Sequence, residues 1–130
     1  SQDVEVGQAL PDLDIPVTST LVVGGAMASR DYTPVHHDAG EARKQGLPDV
    51  IMNILTTQGL CSRYVTDWAG PDALVKSVKT KLDGPNMPGD TLKLRGEVVQ
   101  AEGRSLDVLI EGTNSWGSHV TATFTLELPG

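Results

Sequence analysis

The second half of the chain alternates apolar and polar residues, a pattern typical of half-buried β-strands. Residues 119–128, HVTATFTLEL, alternate almost without fault, with threonines on the polar side. Three earlier runs, at 73–83, 91–99 and 105–112, show the same pattern. The connections GPNMPGD, AEGR and SWGS contain the Gly, Pro and Asn residues that turns require. The sequence therefore predicts four antiparallel strands, whose inward apolar residues are Leu74, Val78 and Leu82, then Leu92, Leu94 and Val98, then Leu106, Val108 and Ile110, and finally Val120, Ala122, Phe124, Leu126 and Leu128.

The stretch NILTTQGLCSRYVTDWAGP, residues 53–71, predicts the main helix. Asn53 is a suitable N-cap, and Gly70 followed by Pro71 is a strong stop signal. The apolar residues recur at spacings of seven, three and four, as expected of a helix that lies on a core. They are Ile54, Cys61, Tyr64, Val65 and Trp68.

Two shorter segments precede this helix. Residues 15–23, IPVTSTLVV, are expected to form a half-buried strand. The stretch 38–48, DAGEARKQGLP, reads as a short helix that Asp38 and Glu41 cap and that Gly46 and Pro48 end. The inward residues of the predicted strand are Ile15, Val17, Leu21 and Val23.

The order of elements predicts an α+β architecture. One long helix and one strongly bent antiparallel sheet bury the apolar faces of both when they pack together. This is the layout of a hotdog fold, in which the sheet wraps around the central helix. The chain has 130 residues, a length typical of one domain, so residues 1–130 are expected to form one such domain.

Charge and composition restrict the possible partners. The net charge of −7 and the lack of any Lys or Arg run disfavour nucleic acid. A single cysteine, Cys61, allows neither an internal disulfide nor an all-thiolate metal site, and its place in the helix pattern indicates a core residue. No signal-like start and no apolar run long enough for a membrane span are present. A soluble cytoplasmic protein is the expectation.

The stretch RDYTPVHHD, residues 30–38, concentrates groups that can move protons. Asp31 and His36 flank a turn that Pro34 restricts, so a carboxylate and an imidazole can converge on one water molecule. The alternative is a loop aspartate that caps a turn beside a surface histidine, and the spacing alone does not exclude it. His37 is expected to orient the loop or face solvent.

A metal site finds less support in the same residues. His36, His37 and Asp38 are consecutive, and adjacent side chains of an extended segment point apart. The remaining histidine, His119, lies on a predicted strand among outward threonines and is expected to be exposed. A zinc site needs three or four converging ligands, so we predict no metal.

Two motifs resemble those of a known family. The run DYTPVHHD, followed by Glu41–Ala42 and Gly46, resembles the D-x-x-P-x-H-x-D…A…G signature of MaoC-like (R)-specific enoyl-CoA hydratases and dehydratases, which are hotdog proteins. PGDTL, residues 88–92, resembles a strand-opening motif of that family. HHD, NILT, RYVTDWAGP and HVTAT further resemble the small MaoC-like subunit of actinobacterial steroid side-chain hydratases.

The resemblance implies a site and a mechanism. Asp31 would act as the general base and His36 would share the activated water. Family members carry a His-Gly pair at the start of the central helix, whose glycine amide faces the thioester oxygen; Met52 and Asn53 stand there in this chain. A backbone N–H can come from any residue except proline, so the Asn53 amide is the expected oxyanion donor.

The resemblance also implies the substrate and the partner. It indicates hydration of an enoyl-CoA thioester, with a bulky steroid side chain as the acyl group and coenzyme A as part of the substrate, so that no separate cofactor is expected. A second MaoC-like hotdog subunit is the expected partner, and a homodimer is also possible. The alternatives are a non-catalytic hotdog subunit that completes a partner's pocket and a hotdog acyl-CoA thioesterase.

Overall fold

The computed structural model describes residues 4–28, 38–44 and 52–129. These residues form five strands and three helices, of which the third helix is the longest. The elements are β1 (Leu13–Pro16), α1 (Ser19–Ala28), α2 (Ala39–Lys44), α3 (Ile54–Ala69), β2 (Leu74–Leu82), β3 (Thr91–Glu102), β4 (Ser105–Asn114) and β5 (Gly117–Glu127).

The five strands form one antiparallel sheet in the order β1-β3-β4-β5-β2. The inward residues predicted for β3 and β4, and those predicted for the 119–128 run, are all buried. They form one core with the inner face of α3, to which Cys61, Tyr64 and Val65 contribute. This arrangement confirms the predicted α+β class and the hotdog fold.

Helix α3 begins and ends as predicted. The Asn53 side chain accepts a hydrogen bond from the Thr56 backbone N–H, and Gly70 closes the helix with a φ of 99°. The predicted apolar face is wrong at its first position, because Ile54 is 44% exposed while Thr57 is fully buried. The core-facing stripe therefore begins with a threonine.

The strand predicted over residues 15–23 is wrong in its second half. Only Leu13–Pro16 is extended, and α1 starts at Ser19. Thr18 caps that helix, since its hydroxyl accepts from the Leu21 N–H at 3.0 Å and its carbonyl accepts from the Val22 N–H. Packing against α3 thus overrides the β-propensity of the Val-rich run.

Helix α2 is capped as predicted, because the Asp38 carboxylate accepts from the Gly40 N–H at 2.8 Å. The predicted stop residues Gly46 and Pro48 lie outside the described residues, as does the side chain of Glu41. The prediction of a short helix after Asp38 is confirmed over Ala39–Lys44.

Strand β2 occupies a sheet edge, and its predicted inward face is largely wrong. Leu74 and Leu82 are 56% and 38% exposed, and Val78 is half-buried. Within the described part of the chain, β2 pairs with β5 alone. One edge and much of the apolar surface of this strand therefore stay open.

Helix α1 packs closely on the first turn of α3. A Cβ added to Gly25 would lie 2.8 Å from Thr56 Cγ2 and closer still to the Thr56 hydroxyl. Only a residue without a side chain allows this approach. Neither α1 nor the other described helices combine the length and apolar character of a membrane span.

Gly25→Ala should destabilise the protein by about 1–3 kcal/mol, because the added methyl group overpacks the α1–α3 contact. Gly24→Ala is the matched control, since a Cβ there meets no atom within 4 Å. That control should stabilise the helix by up to about 1 kcal/mol. Urea unfolding measures both, and equal effects of the two substitutions would contradict the close contact.

The Cys61 thiol should be inert in the native protein. It is fully buried, and burial raises its pKa to about 11, so little thiolate forms at neutral pH. A chromogenic disulfide reagent, which releases its coloured thiolate on reaction with a cysteine, should release none with the folded chain. It should release one equivalent after the chain is unfolded in denaturant. Rapid reaction of the folded chain would show that this part of the core is open.

Candidate functional site at the start of helix α3

The structure describes one of the three predicted site residues. Asn53 lies at the start of α3, whereas Asp31 and His36 lie outside the described residues, as does His37. The geometry of the candidate site is therefore that of the first turn of α3 and of the segments that hold it.

The N-terminus of α3 carries the features of an anion-stabilising site. The first amides of a helix have no acceptor inside the helix, and the helix dipole places positive potential there. The Asn53 carboxamide accepts from the Thr56 N–H at 2.9 Å, and the Asn53 carbonyl accepts from the Thr57 N–H at 3.1 Å. No acidic residue lies in this first turn, so no carboxylate of the helix itself offsets its positive end.

Buried polar side chains gather at this turn. Four polar residues are buried among those the structure describes, and they come from three separate parts of the chain. Asn53 and Thr57 belong to the helix start, Asn86 to the loop after β2, and His119 to β5. Hydrogen bonds connect all three parts, so the start of α3 is fixed by polar contacts as well as by the apolar core.

The prediction that His119 is exposed is wrong: its relative exposure is 1%. In the register of β4 with β5, Gly112 lies opposite Val120 and Thr113 opposite Ser118, so that His119 is the extra residue of a β-bulge. A bulge interrupts the alternation and redirects a side chain. His119 and Val120 are both buried for this reason.

The contacts of His119 define its tautomer. Nδ1 lies 2.7 Å from the Gly84 carbonyl oxygen, which can only accept, so Nδ1 carries the proton. Nε2 of the neutral ring then accepts from the Thr57 hydroxyl at 2.8 Å. Burial lowers the pKa of His119 below its ordinary value of 6.5, although the Gly84 carbonyl and the nearby Asp83 carboxylate act in the opposite direction.

The loop after β2 holds the helix start at a second point. The Asn86 carbonyl accepts from the Met52 N–H at 2.8 Å, and the Asn86 amide group approaches Met52 Sδ at 3.6 Å. Asn114 donates to the Asn86 side chain and to the Pro85 carbonyl. The loop is thereby tied to the β4–β5 hairpin on one side and to α3 on the other.

The PGDTL motif anchors the chain before α1. Gly89 adopts a φ of 90°, and its N–H donates to the Val17 carbonyl while the Val17 N–H donates to the Asp90 carbonyl, both at 2.9 Å. Burial raises the pKa of the Asp90 carboxyl. Hydrogen bonds from Ser115 and Thr91 lower this pKa by more, so it lies below its usual value. The motif is therefore a structural connector in this chain.

Two clefts lie away from this turn. One of about 490 Å³ lies between the N-terminal segment and the outer face of the sheet, where Arg95, Glu97 and Glu111 line it. The other, of about 250 Å³, lies beside Tyr64 and Trp68 towards the far end of α3. Neither is lined by the residues of the helix start, so neither belongs to the candidate site.

The sequence pattern predicted Asn53 as a helix cap and the family resemblance added its role as oxyanion donor, but neither predicted the residues that hold it. The sequence pattern predicts no role for Thr57, although it lies at an inward helical position. Asn86 lies in a run that is predicted only to form a turn. A polar residue among inward positions was the available signal for Thr57, since buried polar groups need partners. For His119 no local signal existed, because the bulge that redirects it depends on pairing with β4.

The buried neutral histidine predicts a pH dependence of stability. Because the native pKa lies below the unfolded value of about 6.5, the unfolded chain binds the extra proton first as the pH falls. The contribution of neutral His119 is therefore complete above that value and declines below it. The difference in unfolding free energy between wild type and His119→Gln should shrink between about pH 7.5 and pH 5.5. A difference that stays constant or grows in this range would contradict the assignment.

Comparison with known proteins shows the family of this chain. The family model described as "MaoC like domain" matches residues 3–118. The chain is 45% identical over 123 residues, covering 95% of both proteins, to the beta subunit of the 3-oxo-4,17-pregnadiene-20-carboxyl-CoA hydratase of Mycobacterium tuberculosis.

Solved structures give the same result for the fold. A chain in the crystal structure of the ChsH1–ChsH2 complex from Mycobacterium tuberculosis matches with a TM-score of 0.93 and 44% identity, covering 96% of this chain and 98% of that one. The (R)-hydratase of A. caviae involved in PHA biosynthesis matches with a TM-score of 0.90 over 99% of this chain and 100% of that one, and its 21% identity shows the fold alone. The family match and the 45% identity over nearly the whole length show that the chain belongs to the MaoC-like domain family.

Proposed function

We propose that this chain is a cytoplasmic enoyl-CoA hydratase that adds water across the 2,3 double bond of an acyl-CoA thioester. The observation that carries the proposal is the first turn of α3, whose positive end has no acidic neighbour in the turn and is fixed by buried hydrogen bonds. The 45% identity to a hydratase subunit supports the same activity. Coenzyme A belongs to the substrate, and the reaction needs no other cofactor.

The reaction follows from the polarity of the conjugated thioester. Its carbonyl group withdraws electrons from the double bond, so C3 is electrophilic. The oxygen of water forms a bond to C3 as one O–H bond breaks, and negative charge develops on the thioester oxygen. A proton then adds to C2, which completes the 3-hydroxyacyl thioester and consumes one water molecule.

Three groups of this chain are assigned to these steps. Asp31 takes the proton of the attacking water, and His36 hydrogen-bonds the same water and shares in the proton transfer. The Asn53 amide, at the positive end of α3, stabilises the charge on the thioester oxygen. Removal of one such donor from an oxyanion site commonly costs about 3–4 kcal/mol of transition-state stabilisation.

The anchoring of α1 supports the proximity of the acid–base pair to the helix. Gly25 contacts Thr56 in the first turn of α3, and α1 ends one turn later at Ala28. One turn of helix advances the chain by about 5.4 Å. The segment that carries Asp31 and His36 thus continues from a point close to the proposed oxyanion site.

Exposed apolar side chains at the start of α3 support an apolar acyl group. Ile54 and Leu55 are 44% and 55% exposed, although both are large hydrophobic residues in the first turn. An acyl group bound beside the amides would cover them and gain about 25 cal/mol per Å² of buried apolar surface. Together with the name of the 45% identical relative, this favours a bulky steroid side-chain enoyl-CoA as substrate.

The open edge of the sheet supports a second hotdog subunit as partner. Leu74 and Leu82 of β2 expose apolar surface beside a strand edge that no described residue pairs with, a combination that favours pairing with another chain. The similar M. tuberculosis relative is named a beta subunit, and the matching structure is a complex of two differently named proteins. We therefore propose a heteromer with another MaoC-like chain.

The position of Asp67 disfavours the thioesterase alternative. A thioesterase would place a carboxylate of the central helix beside the thioester carbonyl. Asp67 is the acidic residue of α3, and it lies near the opposite end, where its exposed side chain is 3.7 Å from that of Arg63. It cannot act on a thioester bound at the first turn.

Asp31→Asn and His36→Ala should each lower the rate of hydration at least about 100-fold, because each removes a group that handles the proton of the attacking water. The assay follows loss of the conjugated enoyl-thioester absorbance with one short-chain and one steroid-like enoyl-CoA. Asp67→Asn is the matched control and should keep wild-type activity.

The outcomes separate the candidate functions. Full activity of Asp31→Asn would overturn the assignment of the base, and release of free coenzyme A would indicate a thioesterase. If the chain gains activity only with a partner and Asp31→Asn leaves that activity intact, the chain is a non-catalytic subunit.

Leu74→Asp combined with Leu82→Asp should abolish association through β2, because it places two charges in the proposed interface. The complex formed with a co-expressed second MaoC-like chain from the same organism is measured by analytical ultracentrifugation. Leu13→Asp, at the opposite edge of the sheet, is the control. A complex that survives the double substitution would exclude this edge, and self-association of the chain alone through β2 would indicate a homodimer.

A further inference from the structure

We propose that His119 is a positioning residue, which fixes the first turn of α3 and so sets the direction of the amides that stabilise the thioester oxygen. His119 belongs neither to the acid–base pair nor to the oxyanion donors. The inference rests on the proposed hydratase function for its catalytic consequence, but the positioning itself can be measured without a substrate.

The structural argument begins with the two bonds of the imidazole ring. Nδ1 donates to the Gly84 carbonyl and Nε2 accepts from the Thr57 hydroxyl, so the ring bridges the loop after β2 and the first turn of α3. Thr57 is bonded in turn to Asn53 through its backbone N–H. The ring therefore contacts Thr57, and Thr57 contacts Asn53, the proposed oxyanion donor.

A second contact, a backbone hydrogen bond, fixes the orientation of the first turn of α3. The Met52 N–H donates to the Asn86 carbonyl, so the loop holds the chain just before the helix as well as within its first turn. One contact on each side of Asn53, at Met52 and at Thr57, restricts both the place and the tilt of the turn. A single contact would leave the turn free to rotate about it.

The chemistry of the ring suits this role. A neutral imidazole offers one donor and one acceptor at opposite sides of a rigid plane. The Gly84 carbonyl requires the donor, and the Thr57 hydroxyl uses the acceptor. An apolar residue of similar volume would leave the part-buried Gly84 carbonyl and the buried Thr57 hydroxyl without this partner, and buried polar groups are seldom left so.

A positioning role has a kinetic consequence that a packing role lacks. Oxyanion donors act most strongly in the transition state, so a displaced turn lowers kcat more than it changes KM. Displacement by about 1 Å can reduce the rate up to about 100-fold. A residue needed only for packing would lower the melting temperature without this selective effect on kcat.

The test removes the hydroxyl that His119 holds. Thr57→Val keeps the shape of the side chain and should lower kcat at least about 10-fold, with KM changed by less than about threefold. Thr57→Ser keeps a hydroxyl at this position and should therefore have most of the wild-type kcat. Thr66→Val is the matched control, because the Thr66 hydroxyl donates to the Ser62 and Arg63 carbonyls of the same helix.

A second pair of variants separates the two bonds of the ring. His119→Gln can still accept from Thr57, and His119→Asn can still donate to Gly84. His119→Asn combined with Thr57→Val should lower kcat no more than the worse single variant, since both remove the same contact between Thr57 and residue 119. Additive losses would show that the two residues act separately and would overturn the proposal.

Hydrogen exchange at residues 56 and 57, whose N–H groups donate to Asn53, measures the positioning directly. These amides should exchange at least about 10-fold faster in Thr57→Val than in wild type, Thr57→Ser or Thr66→Val. Unchanged exchange, or a loss of kcat that Thr57→Ser does not restore, would overturn the role of His119. A wild-type protein that hydrates no enoyl-CoA would overturn the proposed function instead, and the exchange rates would still decide the positioning role.

Discussion

The bond from the Thr57 hydroxyl to the His119 ring joins the parts of the molecule that build the candidate site. It connects the central helix to the last strand, and through the Gly84 carbonyl it reaches the loop after β2. An unsatisfied buried polar group costs about 1–3 kcal/mol, so none of these partners can be withdrawn alone without loss. Apolar packing holds α3 on the sheet, and this bond specifies how its first turn is placed.

Other contacts extend the same constraint to the chain before the helix. Gly25 allows α1 to approach Thr56, the neighbour of Thr57, and the reciprocal bonds of Val17 with Gly89 and Asp90 hold the entrance of α1. The sheet thus fixes the start of α3 through β5 and the start of α1 through the turn before β3. Two helices that meet at the candidate site take their positions from one rigid support.

Local patterns in the sequence were sufficient where a residue's environment depends on its near neighbours. The alternation in β3, β4 and β5 and the cap at Asn53 were predicted because period and capping are local properties. The extra residue at His119 and the exposure of Leu74 depend on which strands pair, and α1 depends on contact with α3. The proposed acid–base residues came from a motif, whereas the first turn of α3 is held by long-range contacts that no motif contained.

The asparagine in place of the family's glycine at the start of α3 now has a physical reason. Glycine would supply the same backbone N–H and leave more room, but it has no side chain to accept the Thr56 N–H, as Asn53 does. Met52, in place of the usual histidine, has its own N–H bonded to Asn86. The first turn of α3 therefore has less room than glycine would leave, but it is better ordered. The Asn53 cap, the loop after β2 and the ring of His119 each restrain it. A main-chain donor keeps its function through such an exchange, because its action depends on direction and not on the side chain that carries it.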